Sequence, residues 1–436
     1  MIEKGTVEYD RNDVIERQTA YILKCAFSDA LGIELGFDSE SEGDGAAIKL
    51  CHDDRIEKGS WRISVSGNTV LCSASTYYGY LGIAKYIRSE AAKPILTLSE
   101  GSCAEGSFFD TLDEVEESTR YAYDKKGEIR LMFYNVLFND PAPDLRNILS
   151  AEVVKQYAPD ILGCQEFNRT KRDGAGERDL AKLLLDSGYV EAVDPWVRNA
   201  LPIEEGGYGT ERIGIVTVGG ETYHSNSNCT PLFYNKKTTK CLDSEYYWFK
   251  HQLDWENEGR CSCRDCASKS MTWGVFENIE TGKRYIVASV HMCTISNGVK
   301  REQAIEAVEI FKQLRKKYNC PIFVGGDYNA LWTHANYEHF TSKEVGYVDI
   351  GRNGIAELHS SEARTYHRPY PVYNEELDMV LPDEADDTAI DLAGGVDHIL
   401  LDKIDDVSVK VYGVVIDKIA AAGSDHYPIF ADVDIK

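Results

Sequence analysis

The chain has 436 residues, of which 43% are hydrophobic and 27% charged, and its 47 basic and 72 acidic residues give a net charge of −25. This length allows roughly two to four domains, and the composition excludes a mostly disordered chain. The longest apolar runs are too short to span a bilayer and the N-terminus is polar at once, so we expect neither a membrane span nor a secretory signal. A negative field of this size repels polyphosphates and anionic membranes at long range, although a metal ion can reverse its sign locally.

The first segment, residues 1–104, is predicted to be a small α/β domain. Apolar residues between Val14 and Leu31 recur every three or four positions, which is typical of an amphipathic helix. Residues 61–72 alternate around the turn-forming pair Gly67-Asn68, which is typical of a β-hairpin. A second helix is expected over Tyr77–Ile87.

Residues 105–127 contain several acidic side chains and few apolar runs, so an acidic linker is expected there. Residues 1–125 contain 13 basic and 23 acidic residues, which leaves a net charge of −15 for the remainder of the chain. Because neither part is basic, neither predicts a surface that follows a nucleic-acid backbone, and no strong binding of duplex DNA is expected.

The third segment, residues 128–436, alternates short apolar strands with helices. The strands are predicted over residues 129–134, 160–164, 284–290, 321–325, 396–401, 407–415 and 428–433, and the helices over residues 147–157, 179–185 and 300–318. Strands therefore outnumber helices, and polar residues collect where the strands end.

The 12 cysteines are too few for a disulfide scaffold, and with no visible export signal they favour a reducing, cytoplasmic location. Three of them, Cys261, Cys263 and Cys266, fall within six residues, with His251 upstream. A structural Zn²⁺ site needs four ligands, and this group offers three close ones and one distant one. Free thiols in a loop are therefore favoured, and zinc is kept as the alternative.

Polar side chains adjoin six of the predicted strands. They are Asn135, Gln165-Glu166, His291, Asp327 with Asn329, Asp397-His398 and Ser424-Asp425-His426. Any one of them alone is typical of a turn or a helix cap. Six such groups in succession, all rich in carboxylates, amides or imidazoles, indicate a polar site at the strand ends.

These residue types favour phosphoryl transfer assisted by a hard metal ion. Carboxylate and amide oxygens bind Mg²⁺ or Mn²⁺, which can bridge to a phosphate. Histidines can donate to phosphate oxygens or to the leaving group. Acidic side chains without a basic cluster suit a metal site better than a site built on arginines.

In order and in type, the six motifs resemble those of the endonuclease/exonuclease/phosphatase superfamily, which includes DNase I-like nucleases, neutral sphingomyelinases and inositol-polyphosphate 5-phosphatases. The resemblance runs from Ile129 to the C-terminus. The family's Gly-Asp-Phe-Asn motif is matched by residues 326–329 with Tyr328 for Phe, and its Ser-Asp-His-x-Pro motif by Ser424–Pro428. The resemblance implies a DNase I-like, four-layer α/β/β/α sandwich over residues 128–436, preceded by a small α+β domain.

The resemblance also implies a set of metal ligands. Glu166 would be the main ligand of Mg²⁺ or Mn²⁺, assisted by Asn135 and Asp425. Nuclease branches of the family carry a further Asp two residues after the first Asn, but Leu137 stands there. This departure favours the branches that have the Asn alone.

The remaining motif residues would act on the substrate. Asp327 would orient or activate the attacking water or hold a second metal, and Asn329 would donate to the phosphate. His426 would contact the scissile phosphate with Asp397 as its carboxylate partner. His291 would contact the substrate and stabilise developing charge or protonate the leaving group.

Two weaker indications concern binding. Arg169 follows the Gln-Glu motif and could touch a substrate phosphate, although a solvated loop explains it equally well. The pair of strands around Gly67-Asn68, followed by residues 74–83, resembles the accessory α/β domain of hexosaminidase-type and α-glucuronidase glycoside hydrolases, and the resemblance extends over residues 1–104. A structural appendage is favoured over glycan contact, because fold analogy alone does not establish function.

The sequence thus predicts a divalent-metal-dependent hydrolase of a phosphodiester or phosphomonoester, with a small-molecule, lipid or sugar phosphate favoured over duplex DNA. A Mg²⁺-dependent nuclease acting on DNA or RNA is the first alternative. A non-catalytic binding module is the second, and it is disfavoured because no predicted metal ligand is lost and His426 is present. Residues 196–230 and 333–395 are expected to line the cleft, and nothing in them names the substrate.

Overall fold

The computed structural model describes part of the chain, and the chain divides into two compact units. The described residues are 4–10, 16, 19–20, 23–24, 26–27, 34–37, 46–53, 55–56, 60–67, 69–75, 79–80, 82–84, 86–87, 103–107, 125–137, 143–167, 180–193, 214–218, 221–225, 230–250, 269–294, 296–331, 333–351, 365–366, 372–374, 379–381, 395–415 and 418–436. One unit comprises Met1–Arg120 with Glu375–Met379, and the other Tyr121–Asn374 with Val380–Lys436.

The first unit contains a six-stranded mixed sheet. Its strands are β1 (Lys4–Glu8), β2 (Glu34–Phe37), β3 (Ala46–His52), β4 (Ser60–Ser66), β5 (Thr69–Ala74) and β6 (Cys103–Ser107), in the order β2-β1-β3-β5-β4-β6. The predicted hairpin is present, because Ser66 pairs with Thr69 across a turn in which Gly67 has a φ of 57°. Described residues between 16 and 27 and between 79 and 87 are helical, as the apolar spacing predicts.

The expected linker falls largely outside the described residues. Residues 105–107 belong to β6, which pairs with β4, and residues 108–124 are not described. The acidic linker over residues 105–127, and the domain boundaries drawn from it, remain predictions.

From residue 125 onward, the described strands outnumber the described helices. In chain order the elements are β7 (Ile129–Asn135), α1 (Pro143–Tyr157), β8 (Ile161–Gln165), α2 (Leu180–Asp186), β9 (Tyr189–Glu191), β10 (Gly214–Val218), β11 (Glu221–Ser225), β12 (Leu232–Asn235), β13 (Thr239–Trp248), β14 (Ser270–Asn278), β15 (Arg284–His291), α3 (Asn297–Tyr318), β16 (Ile322–Asp327), α4 (Ala335–Thr341), β17 (Val348–Asp349), β18 (Val372–Asn374), β19 (Met379–Leu381), β20 (Asp397–Leu401), β21 (Val407–Val414), α5 (Lys418–Gly423) and β22 (Ile429–Ile435). Each strand and helix predicted for this segment is found, with its ends moved by a few residues.

Two six-stranded sheets pack face to face in the second unit. The first has the order β21-β22-β7-β8-β12-β9, and the second has the order β13-β14-β15-β16-β20-β17. Phe133 of β7 lies across its neighbour Gly163 and reaches Gly325 of the opposite sheet. A Cβ atom at Gly325 would lie 2.2 Å from the Phe133 ring, so the sheets pack this closely only because that position lacks a side chain.

Helices cover the outer faces of both sheets. Phe311 of α3 packs with Val324 of β16 in one buried cluster, which covers the second sheet. The ring of Tyr157, the last residue of α1, lies 5.6 Å from that of Phe430 in β22, and the Tyr134 hydroxyl donates to the Ala420 carbonyl of α5. The predicted four-layer α/β/β/α sandwich is therefore confirmed by the layers themselves.

Among the described residues, no helix combines the length and the apolar character that crossing a bilayer requires.

Candidate active site

The polar residues predicted from the sequence meet at one edge of the two sheets. In the first sheet, the parallel strands β7 and β8 end side by side, and Asn135 pairs with Gln165. In the second sheet, His291 pairs with Asp327 at the ends of β15 and β16, and Asp397 begins the antiparallel strand β20 opposite Asp327. Strand register therefore brings these side chains together within each sheet, and a hydrogen bond from Asn135 to Asp327 joins the two groups.

Asp327 lies at the centre of this group and is 1% exposed. Its Oδ2 atom accepts a hydrogen bond from Asn135 Nδ2 at 3.1 Å and lies 3.4 Å from His291 Nε2. Burial raises the pKa of the Asp327 carboxyl, and the neighbouring Asp397 carboxylate raises it further. Asp327 thus connects the two sheets, and its raised pKa favours acceptance of a proton.

Asp397 and His426 form a buried pair. His426 Nδ1 lies 2.9 Å from Asp397 Oδ2, and His426 Nε2 lies 4.0 Å from Asp327 Oδ2. Burial alone would lower the pKa of His426, but Asp397, Asp425 and Asp327 together outweigh it and raise that pKa well above the ordinary histidine value. The imidazole is therefore held as a cation with Nδ1 directed at Asp397.

Two separate sets of side chains in the site could hold a metal ion. Asp327, Asp397 and His426 offer ligand atoms that all lie within 4.8 Å of one another, but His426 would have to lose a proton before its ring nitrogen could bind a metal. The set predicted from the sequence also converges, because the Ser424 hydroxyl donates to the backbone carbonyl of Asn135 at 2.6 Å and so joins the two segments that carry the ligands. The ligand atoms are mainly carboxylate oxygens, which suit a hard divalent cation.

Glu166, whose side chain is 21% exposed, and the buried Asp425 are the carboxyls of the predicted metal set. Burial raises the pKa of both, and each is close enough to other carboxylates for repulsion to add to the shift. Lys269, His426 and a hydrogen bond with Asn135 act in the opposite direction on Glu166. Acidic groups whose charge is disfavoured in this way are the groups that a divalent ion would stabilise, so the site fits one.

His291 faces a lysine that the sequence did not single out. Lys269 Nζ lies 2.6 Å from His291 Nε2, and both side chains are buried. An ammonium group can only donate, so Nε2 accepts and the imidazole carries its proton on Nδ1. Burial lowers the pKa of His291 well below the ordinary value, and Lys269 and His426 lower it further. The cation at this position is therefore Lys269, and His291 is neutral.

Three strand ends in the site have left-handed backbone geometry at residues other than glycine. Leu137, Glu166 and Asn329 have φ values of 48°, 54° and 49°. Such conformations are sparsely populated and concentrate at functional sites. The buried Arg146 supports the first of them, because Nη1 donates to the carbonyls of Leu137 at 2.8 Å and Gly423 at 3.2 Å.

Several residues that contact the site residues were not predicted from the sequence. The Thr365 hydroxyl accepts hydrogen bonds from the backbone N–H of Val396 and Asp397, and the Tyr366 ring lies 5.0 Å from that of His426. Lys269 directly precedes β14, a strand that pairs with the strand bearing His291. Recognising β14 as a strand could have drawn attention to Lys269, whereas no pattern in the sequence marks Thr365 and Tyr366.

Other predicted residues cannot be placed. Arg169 and the three clustered cysteines, Cys261, Cys263 and Cys266, lie outside the described residues, as does most of the expected cleft-lining segment 196–230. Substrate contact by Arg169 and Zn²⁺ binding by the cysteines remain predictions.

Comparisons with known proteins gave structural similarity only. No family model matches the chain, and no curated protein matches it. An endonuclease/exonuclease/phosphatase from Bacteroides vulgatus is 20% identical, with a TM-score of 0.46 over 71% of this chain and 99% of that one. A Bacteroides thetaiotaomicron mannosyl-6-phosphatase is 20% identical (TM-score 0.45; 70% and 99% covered), and the human Nocturnin catalytic domain with bound sulfate is 17% identical (TM-score 0.45; 72% and 97% covered).

Proposed function

We propose that this chain is a divalent-metal-dependent hydrolase of phosphoric esters and a member of the endonuclease/exonuclease/phosphatase superfamily. The observation that supports this most is the convergence of Glu166, Asp327 and the Asp397–His426 pair at one edge of the sandwich. Carboxyls with raised pKa values beside an imidazolium supply acceptors for a metal ion and a proton together with a donor for a phosphate.

Glu166, Asn135 and Asp425 would hold the ion, with Asp327 as a candidate ligand of a second one. The bound ion supplies positive charge that offsets the charge of the phosphate. Two side chains of the protein then donate hydrogen bonds to the phosphate. His426 Nε2 is free of the Asp397 contact and donates to a phosphate oxygen, and Asn329 donates from its side-chain amide.

Proton transfer is assigned to Asp327. Its raised pKa makes it a better proton acceptor near neutral pH than an ordinary aspartate, and it can orient the attacking water through the same carboxylate. Lys269 stabilises negative charge on the side of His291, whose neutral ring receives the Lys269 hydrogen bond. Protonation of the leaving group by His291 then requires the ring to turn away from Lys269 or to donate through Nδ1.

The substrate is proposed to be a small-molecule, lipid or sugar phosphate, either a diester or a monoester. The net charge of −15 beyond residue 125 provides no basic surface for tracking a nucleic-acid backbone. Leu137, in place of the further Asp of the nuclease branches, also weakens the nuclease alternative.

The test is turnover by the full chain. Bis-p-nitrophenyl phosphate and p-nitrophenyl phosphate, each with Mg²⁺ or Mn²⁺, are expected to be hydrolysed, and EDTA should abolish the activity. His426→Ala should lose it, while Asp405→Ala, at an exposed position, should keep it. Undiminished turnover after exhaustive chelation would refute the metal-dependent mechanism. Inositol phosphates, phospholipids, sugar phosphates and nucleotide diesters then identify the substrate class.

A further inference from the structure

The turn that carries Asn329 is held by an unusual set of hydrogen bonds. Three consecutive backbone carbonyls each accept from a buried side chain on a different element of the fold. These bonds join Asn336 Nδ2 to the Tyr328 oxygen (2.8 Å), Lys300 Nζ to the Asn329 oxygen (2.5 Å) and His398 Nε2 to the Ala330 oxygen (2.7 Å). The donors lie in α4, α3 and β20, so the turn is fixed from three directions.

The His398 side chain is itself fixed on both sides. Nδ1 lies 3.1 Å from Asp349 Oδ2, and Nε2 faces the Ala330 carbonyl. Both partners are acceptors, so both ring nitrogens carry hydrogen and the ring is an imidazolium. Asp349 also accepts from the Tyr337 hydroxyl at 2.9 Å. Satisfied buried networks of this kind hold their members in one arrangement.

The turn contains a left-handed residue, a conformation that is sparsely populated outside glycine although asparagine tolerates it better than most residues. Asn329 has a φ of 49°, and its backbone N–H donates to Asp327 Oδ1 at 2.7 Å. Its side-chain Nδ2 donates to the Met292 carbonyl at 3.0 Å, next to His291. One turn thus sets the position of both the Asp327 carboxylate and the Asn329 amide.

We propose that Lys300, Asn336 and His398 are positioning residues that hold Asn329 in place to donate to the substrate phosphate. The inference rests on the proposed function, which gives Asn329 its contact with the phosphate. None of the three donors contacts the reacting atoms. They act through the carbonyls of the turn, and their effect on catalysis depends on the Asn329 side chain.

A double-mutant cycle tests this dependence. The full chain and its variants Lys300→Met, Asn329→Ala and Lys300→Met/Asn329→Ala are assayed for kcat and KM on bis-p-nitrophenyl phosphate with Mg²⁺. Lys300→Met should lower kcat roughly 10- to 100-fold while KM changes by less than about threefold, because a group lost only from the transition state acts on kcat. In the Asn329→Ala background the same change should cost less than about threefold.

Matched variants separate a loss of Asn329 positioning from a general loss of folded structure. Lys316→Met, an exposed position on the same helix, should leave kcat unchanged, and Lys300→Gln, which keeps an N–H donor, should recover part of the loss. If Lys300→Met does not fold, Asn336→Ala takes its place in the cycle with the same expectation.

The possible failures are distinguishable. Equal losses in both backgrounds, or an unchanged kcat for Lys300→Met, would overturn the positioning role while leaving the hydrolase intact. Turnover that survives EDTA, His426→Ala and Asn329→Ala would instead overturn the proposed function.

Discussion

Glu166 is expected to matter far more for catalysis than for stability. Desolvation raises the pKa of its carboxyl more than Lys269 and His426 lower it, so removing the side chain relieves a desolvation cost rather than breaking a strong ion pair. Glu166→Ala should lower kcat by on the order of 10³-fold and leave Tm unchanged or slightly higher. Kinetics and thermal unfolding measure the two effects, with Glu280→Ala, an exposed position, as control. An unchanged rate would show that Glu166 is not a metal ligand.

Asp397 should set the pH dependence of activity through His426. The pKa of His426 is raised, so the imidazolium that contacts the phosphate is lost as pH rises through that raised value, and activity should fall with it. Asp397→Asn removes the carboxylate that contributes to the shift, so this falling limb should move to lower pH. The profile of kcat/KM against pH measures the shift, and Asp405→Asn is the control.

Asp397 and His426 should behave as a unit when both are replaced in one variant. Asp397→Asn/His426→Ala should be little slower than His426→Ala alone, because groups that act together are non-additive. Losses that multiply would mean that Asp397 acts independently of His426.

At the scale of elements, the close approach of the two sheets should be sensitive to a single methyl group. Gly325→Ala places a Cβ 2.2 Å from the Phe133 ring and should destabilise the fold by about 1–3 kcal/mol, measured by urea unfolding. Phe133→Leu in the same chain should recover part of this by making room. Gly298→Ala in α3, where a Cβ would lie 3.7 Å from the Ser296 hydroxyl, should be neutral or stabilising. A neutral Gly325→Ala would show that the sheets can move apart.

The sequence predicted the elements whose pattern is local. The apolar periodicity of α3 and the uninterrupted apolar runs of β8 and β16 are properties of neighbouring residues, and all three were found close to their expected ends. The short helices α4 and α5 carry too few turns to show a period, and β13 at a sheet edge is mostly half-buried, which blurs its alternation.

The site was predictable only where a polar residue interrupts an apolar strand end. Asp327, His291 and Asp397 are conspicuous for that reason. Lys269 is a charged residue before a strand, which in sequence looks like any solvated lysine, and its burial against His291 follows from the pairing of β14 with β15. Tertiary pairing of this kind has no local signature.

At the scale of the whole molecule, we expect residues 1–104 to be separable from the chemistry. Every predicted site residue lies beyond Ile129, and the elements that hold the described ones belong to the sandwich. A truncated chain beginning at Asp124 should remain folded and keep kcat within about threefold of the full chain, since no group that acts in the transition state is removed. Circular dichroism and the same hydrolysis assay test this. A folded but inactive truncated chain would mean that the first unit contributes to the site.

The overall charge should make the protein a poor ligand for duplex DNA. With a net charge of −15 beyond residue 125, few phosphates can be neutralised, so affinity at physiological salt should be no tighter than about 10⁻⁶ M. Fluorescence anisotropy with a labelled duplex measures the affinity, and a DNA-binding protein of net positive charge provides the positive control. Sub-micromolar affinity would favour the nuclease alternative.

The pairing of β7 with β22 has a consequence for biosynthesis. The strand that ends in Asn135 is completed on one side by Ile429–Ile435, and Asp425 and His426 directly precede that strand. At about 5–20 residues per second, a ribosome needs roughly 15–60 s to pass from Asn135 to His426. Glu166 and Asp327 are made during that interval, but until Asp425 and His426 follow the nascent chain has no complete site. Activity should therefore appear only when the last strand is inserted, and a chain released early should be inert.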